Sequence, residues 1–195
     1  MTSDTITRAG RTLARAFYND PLFRHVMPDD DRRARALPHL FAGTARRCRA
    51  LGGLETVADA AGVAGWLPGD RLSMTGADVM RFGMLTLPLR LTLTGMRRLV
   101  SHDVAADEMI EAHLRPGDAY LWVLAVDPAR HGEGLGRRAM TACRDAARAS
   151  GATRLTLKTE NRDNVPLYQH LGFELLEQDI VPSSQLTVSV FAQDL

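Results

Sequence analysis

The chain has 195 residues, 45% of them apolar, and a formal net charge of +1 at pH 7. That length builds a sizeable core and is read as one domain over 1–195, and the balanced charge offers neither a basic field for nucleic acid nor an acidic block that would stay disordered. The opening residues lack the apolar run of a secretory signal and no stretch approaches the ~18 apolar residues that span a bilayer, so the expectation is a cytoplasmic protein with a small-molecule partner and neither nucleic acid nor membrane.

In chain order, Ile6, Ala9, Leu13, Ala16 and Phe17 fall at helical spacing and predict a helix over 4–18, stopped by Asn19, Asp20 and Pro21. A second helix is expected over 31–50, with Leu37, Leu40 and Phe41 inward, the arginines at 32, 33, 35, 46, 47 and 49 toward solvent, and a kink or break at Pro38. Gly52-Gly53 leads into β-like runs at 54–57 and 63–67, joined by an Asp-Ala-Ala-Gly turn and read as a hairpin. Residues 84–100 read two ways: Leu85, Leu87, Leu89, Leu91 and Leu93 alternate as a strand does, while Leu85, Leu89, Leu93, Met96 and Val100 make a helical stripe. Helix is preferred because its spacing continues past Leu93 and the alternation does not. A helix at 105–113 precedes a continuously apolar run at 120–126, the candidate central strand, read as buried on both faces. A helix over 134–149, a strand at 154–158, a short helix at 165–171 and strands near 173–181 and 186–192 complete the reading. Cys48 and Cys143 lack CxxC or paired-histidine spacing, which argues against zinc or any other metal and for two buried thiols.

The chemistry is concentrated where the central strand meets its helix, at Asp127-Pro128-Ala129-Arg130-His131-Gly132-Glu133-Gly134-Leu135-Gly136. Glycines at alternate positions let the backbone turn tightly and aim N–H groups outward, and the helix that begins there adds partial positive charge, which suits a pyrophosphate. No Lys-Ser or Lys-Thr follows, so this is not a P-loop, and GxGxG spacing is not the dinucleotide GxGxxG. On its own the loop reads equally as a close strand-to-helix connection. A second run stands downstream, Thr159-Glu160-Asn161-Arg162-Asp163-Asn164-Val165-Pro166-Leu167-Tyr168-Gln169-His170-Leu171-Gly172-Phe173, with a capping Asn and a Pro in the first helical turn.

Together the two runs resemble the GNAT superfamily of acyl-CoA N-acyltransferases. His131, Gly134 and Gly136 occupy the glycines-and-polar pattern of that family's phosphate loop, with His where Gln or Arg is usual, and Asn161, Leu167, Tyr168, Gly172 and Phe173 match its second signature. The run Asn164-Val165-Pro166-Leu167-Tyr168 is similar to the puromycin N-acetyltransferase type. The resemblance implies an α/β fold: a mixed, mostly antiparallel twisted sheet, splayed at the cofactor strand and flanked by helices. It implies a variable acceptor side in 1–114 and an acyl-CoA half in 115–195, with the family's usual opening strand missing because the chain starts on a helix. Acetyl-CoA would be the co-substrate, held by Leu124, Ala125 and Val126 on the strand, by His131, Gly132, Glu133, Gly134, Leu135, Gly136 and Arg137 on the loop, and by Asn161, Asn164 and Tyr168. Tyr168 would be catalytic, protonating the departing sulfur. A reference phenol near 10 lies only ~2 kcal/mol uphill of a thiol near 8.5, so that role is chemically reasonable.

For a general base the sequence offers Glu55, Glu111, His113 and Asp118 and singles out none. His25 and residues 66–84 are candidates to line an acceptor pocket, with loop packing as the competing reading. The expected activity is acetyl transfer from acetyl-CoA to a primary amine of a small metabolite or antibiotic. A non-catalytic acyl-CoA-binding module and a protein lysine or amino-terminal acetyltransferase are the alternatives, and homodimerisation is a further family expectation.

Overall fold

The computed structural model describes residues 3–195. Its elements run α1 (Ser3–Ala16), α2 (Pro21–Val26), α3 (Asp30–Leu51), β1 (Gly53–Val57), β2 (Gly62–Pro68), α4 (Gly76–Arg81), α5 (Leu87–Glu111), β3 (Asp118–Val126), α6 (Leu135–Ala149), β4 (Arg154–Thr159), α7 (Asn164–His170), β5 (Glu174–Val181) and β6 (Leu186–Asp194). The strands form one sheet in the order β1-β2-β3-β4-β6-β5, antiparallel throughout except for the parallel β3–β4 pair. Helices cover both faces, giving the expected mixed, mostly antiparallel α/β architecture. Ala139, Met140, Cys143 and Ala147 of α6 pack on one face with Leu155, Leu157 and Phe191. On the other, Leu13 of α1 and Leu37, Phe41 and Cys48 of α3 meet Val63, Val123 and Ala125, and Ala106 and Ile110 of α5 meet Tyr120, Val188 and Val190. No described helix is long and apolar enough to cross a membrane.

The predicted hairpin forms in register from Gly53–Trp66 to Val57–Gly62. The second predicted helix is one element, α3, and Pro38 does not end it. Two of its arginines depart from the expectation of a solvent face: Arg33 is 2% exposed and Arg47 1%. Both fall on the buried stripe with Leu37, Phe41 and Cys48, and each spends its guanidinium on backbone carbonyls. Arg33 donates to Tyr18 and Met27 at 2.7 Å, and Arg47 donates to Arg71 at 2.7 Å and Ser73 at 2.9 Å and stacks 4.8 Å from the Trp122 ring. Arg47→Met removes the donor and leaves those carbonyls buried and unpaired, so it is expected to lower stability by about 2 kcal/mol in urea unfolding, while Arg35→Met on the exposed side changes it by under about 0.5 kcal/mol.

Residues 87–111 are helical, as preferred, with a break at Thr92 (φ 67°, ψ 163°), whose hydroxyl accepts from Gly95 N at 3.1 Å and caps the longer segment. Most of the stripe noted in the sequence faces outward: Leu85, Leu89, Leu93 and Val100 are exposed and Met96 is half-buried against the core, whereas Leu87 and Leu91 are buried. Cys48 and Cys143 are free and fully buried; burial pushes the Cys48 thiol up to about 12 and the Cys143 thiol higher still. Neither should react with a thiol reagent at pH 8 until the chain is unfolded, when both should.

Candidate active site

The sheet opens between β3 and β4. β3 and β4 pair at Asp118–Arg154, Ala119–Leu155 and Tyr120–Thr156 and no further, although β4 stays paired with β6 as far as Thr159–Ser189. β3 instead follows β2, and its register slips so that Trp122 is an extra residue between Leu121 opposite Trp66 and Val123 opposite Gly65. Such a bulge bends its strand and reverses the facing of the residues beyond it. Val123 and Ala125 turn to α1 and α3, and Leu124 to α6. The expectation of a strand buried on both faces therefore fails beyond Leu121, where Trp122, Leu124 and Val126 are only half-buried. Along Leu124, Ala125 and Val126 the β4-side backbone has no strand partner and can pair with a ligand that carries amides of its own.

β3 ends in the glycine loop. Asp127 N donates to Ala61 O at 2.7 Å, its carboxylate pairs with Arg15 at 2.5 Å, and Arg130 binds the Glu133 carboxylate and the Ala58 carbonyl. Gly132 (φ 86°) and Gly134 (φ 68°) adopt the left-handed conformation that glycine takes without strain. As the residue capping α6, Gly134 has no side chain to offer, and the N–H groups of Gly134, Leu135, Gly136 and Arg137 have no acceptor among the described residues. His131, Gly132, Glu133, Gly134 and Arg137 are exposed, and Leu135 is buried beneath them. A helix start with unused donors, partial positive charge and no blocking side chain is a receptor for an anion.

At the far side of the opening, Tyr168 of α7 is 7% exposed and packs edge-on to Phe173 at 5.8 Å and against Phe191 at 5.6 Å. Its hydroxyl has no hydrogen-bond partner among the described residues. Burial, then the charges of Glu160 and Asp20, raise its pKa above the usual phenol value. Asn161 accepts from Asp163 N at 3.0 Å, and Asn164 donates to Thr159 Oγ1 at 3.3 Å, so both shape the lip where β4 gives way to α7.

Polar groups around Glu160, one of the two charges that act on Tyr168, escaped the sequence reading. Glu160 meets His102 Nε2 at 3.4 Å, and the other nitrogen of this fully buried histidine lies 2.8 Å from Ser184 Oγ. Lys158 is 2.6 Å from Asp107. Asp20 caps α2 by accepting from Leu22 N at 3.0 Å. Two signals pointed there: an Asp before Pro reads as a helix cap as well as a stop, and Arg154, Thr156, Lys158 and Glu160 alternate along a strand that lies inside the sheet. None of the four residues offered as a base joins this cluster. Asp118 is ion-paired with Arg154 at 3.2 Å and His113 bonds Glu177 at 2.9 Å, both at the paired end of β3, which six residues put ~20 Å along the strand from Leu124. Glu111 ends α5 with its carboxylate 3.5 Å from the Ser73 hydroxyl, and Glu55 sits on the outer strand β1. His25 does lie on the cluster's side, on α2 beside Arg98, with Nε2 buried and unpaired; residues 71–73 and Phe82 are instead tied to Arg47 and Arg46 of α3.

Residues 92–173 match the model of the acetyltransferase (GNAT) family. A protein of Mycobacterium leprae is 40% identical over 62 residues, 32% of this chain, and the match spans 17% of that relative's length. Two solved structures share the fold over the full chain. One is mosquito arylalkylamine N-acetyltransferase like 5b (17% identity, TM-score 0.55, covering 98% of this chain and 96% of that one). The other is the C-terminal condensation domain of Ebony in complex with beta-alanyl-dopamine (9% identity, TM-score 0.69, covering 100% and 96%). The open strand, the glycine loop and Tyr168 all fall within residues 92–173, the segment that matches the acetyltransferase (GNAT) family model.

Proposed function

We propose that the chain is an N-acetyltransferase that moves an acetyl group from acetyl-CoA to a primary amine of a small metabolite or antibiotic, by direct attack in a ternary complex. The observation that carries this reading is the convergence of an uncapped helix start, an unpaired strand edge and a buried tyrosine with a free hydroxyl on one opening in the sheet. Acetyl-CoA requires these features: a pyrophosphate needs backbone donors, a pantetheine arm needs strand-like amide partners, and a thiolate leaving group needs a proton.

In this reading the N–H groups from His131 to Arg137 hold the pyrophosphate, with Gly132, Glu133, Gly134, Leu135 and Gly136 giving the loop its shape. Leu124, Ala125 and Val126 bind the pantetheine arm through their backbone, and a backbone N–H of that strand steadies the oxyanion. Asn161 and Asn164 frame the far lip. Tyr168 gives its proton to the sulfur as the carbon–sulfur bond breaks.

Calorimetry with acetyl-CoA, followed by release of free CoA thiol in the presence of 2-phenylethylamine, spermidine, puromycin and a peptide bearing a free amino terminus, tests the proposal. Binding with turnover of a small amine is the expected result. Binding without turnover of any amine would leave an acyl-CoA-binding module, and turnover of the peptide alone would make the protein a peptide acetyltransferase.

A further inference from the structure

The exposed side of α5 plays no part in the acetyl-transfer reading, and two properties coincide on it. The first is apolar. In the helical segment after the break at Thr92, Leu93, Val100 and Val104 are exposed and stand seven and then four residues apart, so they share one line of the helix surface. Leu85 and Leu89 are exposed on the turns that lead into it, and Leu89 (83%) and Leu93 (78%) are almost wholly in solvent. A single exposed leucine needs no explanation, but a continuous row marks a contact surface. The second property is charge. Between Asp78 and Asp103 the sequence places Arg81, Arg90, Arg97 and Arg98 and no acidic residue, in a chain whose total formal charge is only +1. Arg97 stands on the row itself, one turn from Leu93 and one from Val100, and with Thr94, Arg98 and Ser101 it lines an open hollow of about 290 Å³. The Arg97 guanidinium and the Thr94 hydroxyl have no partner among the described residues, while Arg98 donates to His25 O at 3.0 Å and Ser101 to Arg98 O at 3.2 Å. We infer that this face of α5 docks the protein on an anionic phospholipid surface, with Leu89, Leu93, Val100 and Val104 entering the acyl boundary and the hollow around Arg97 receiving a lipid phosphate. The inference needs neither cofactor nor acceptor and stands apart from the acetyl-transfer reading.

Shape and charge together choose the occupant. An anionic bilayer offers apolar depth beneath a layer of phosphates, and a helix whose apolar face is bordered by arginines lies along that boundary with its apolar side down. Leu93 and Val100 flank Arg97, so side chains that enter the acyl region carry the guanidinium to phosphate depth. The rest of α5 agrees with this placement. Its acidic residues begin at Asp103, Asp107 is taken up by Lys158 at 2.6 Å, and Glu108 and Glu111 lie at the far end. The helix is therefore basic where it carries the leucines and acidic where it leaves them. The surface is the convex outer side of a helix, whereas a peptide partner is held in a groove or along a sheet edge. A second copy of the chain fits worse still: a two-fold contact lays the patch on itself and sets Arg97 and Arg98 against their own images, with no acidic residue in the patch to separate them. No described helix can cross a bilayer, and lying on one needs no span. The expectation of no membrane partner rests on total charge and the lack of a spanning run, and both are blind to a local patch.

Flotation of the full chain with vesicles of equal parts phosphatidylglycerol and phosphatidylcholine tests the inference, with phosphatidylcholine alone as the reference. Binding is expected on the anionic vesicles only, and it should collapse at ~1 M salt, where the Debye length falls to ~3 Å. Leu89→Ser combined with Leu93→Ser should weaken it by more than about tenfold, since both side chains lose an apolar environment that they gain on docking. Arg97→Glu breaks no contact within the chain and should weaken binding by about twentyfold or more, at roughly fivefold per charge near the surface. Arg148→Glu is the matched control: it makes the same change in net charge from α6, on the other side of the sheet, and should cost less than about threefold. All these side chains are exposed, so the variants should keep the wild-type Tm within a few degrees. A second readout uses the burial of both native thiols: bimane attached to Leu89→Cys labels that position alone in the folded chain and should shift to the blue on the anionic vesicles. Absence of binding to those vesicles overturns the inference, and so does binding that Arg148→Glu weakens as much as Arg97→Glu, which is attraction by net charge. Two further outcomes overturn it in favour of another occupant. A dimer in sedimentation velocity that the leucine substitutions abolish, without vesicle binding, gives the face to a second copy. Calorimetric binding of inorganic phosphate that Arg97→Glu removes, again without vesicle binding, leaves a site for a free anion. Acetyl-CoA binding is untouched by any of these results, so the acetyl-transfer reading stands or falls separately.

Discussion

Gly134→Glu is expected to abolish acetyl-CoA binding in a chain that still folds. Gly134 caps α6 at φ 68°, and a Cβ built there meets no atom within 4 Å, so the protein itself has room for a side chain. The left-handed backbone charges a non-glycine residue about 1–2 kcal/mol, a loss a domain of this size tolerates. What a glutamate changes is the space above the helix start: it puts five heavy atoms, three of them a carboxylate, where the N–H groups of Leu135, Gly136 and Arg137 point. Calorimetry should show affinity falling by more than about a thousandfold, since several charge-assisted hydrogen bonds at ~1.5–3 kcal/mol each are lost together. Gly117→Glu is the matched control. Gly117 also has positive φ (87°) and open space around it, but it precedes the paired end of β3. It should share the modest loss of stability and bind acetyl-CoA normally. Equal binding in both variants would remove the loop from the cofactor site.

The two variants also mark what was legible in the sequence. The loop and the 159–173 run could be read because their chemistry is local: alternate glycines after an apolar strand fix where N–H groups go within a few residues, and Gly, Pro and Asn punctuate the elements on either side. The strands and helices from Asp118 onward accordingly appear close to their predicted bounds. What escaped depends on partners distant in the chain. The bulge at Trp122 exists because β2 sets the register of β3, and nothing in 120–126 alone announces it. Arg33 and Arg47 look like solvent residues until the carbonyls that receive them, at Tyr18, Met27, Arg71 and Ser73, are brought beside α3. Leu85, Leu89 and Leu93 belong to the stripe that marks the helix, yet Leu87 and Leu91, on the opposite side of the same helical turns, are the ones α5 buries. Asp20, Glu160 and His102 lie between 58 and 140 residues from at least one of their neighbours in the cluster, which only the folded chain shows to be a cluster.

Tyr168→Phe should separate chemistry from binding. The hydroxyl makes no hydrogen bond among the described residues, so its removal strands no partner, and the ring contacts with Phe173 and Phe191 survive in phenylalanine. Stability is therefore expected to change by less than about 1 kcal/mol and acetyl-CoA affinity by less than about threefold. Turnover is expected to fall by about 10²- to 10⁴-fold, the usual contribution of a positioned acid. The pH dependence carries a second check. Burial together with the Glu160 and Asp20 charges keeps the phenol protonated past its ordinary range, so the wild type should show no alkaline loss of kcat near pH 10 from Tyr168. The same shift makes the phenol a weaker acid than the ~2 kcal/mol reference gap implies, unless the thiolate it faces is raised by the same apolar wall. That wall is built by Phe173, Phe191 and Leu157, which surround the tyrosine and exclude water from its side of the opening. A thiolate leaving into it is destabilised as the phenolate is, the two values move up together, and proton transfer stays within reach. A Tyr168→Phe variant whose kcat lies within threefold of wild type would show instead that the sulfur finds its proton in water and that the tyrosine serves only to pack the wall.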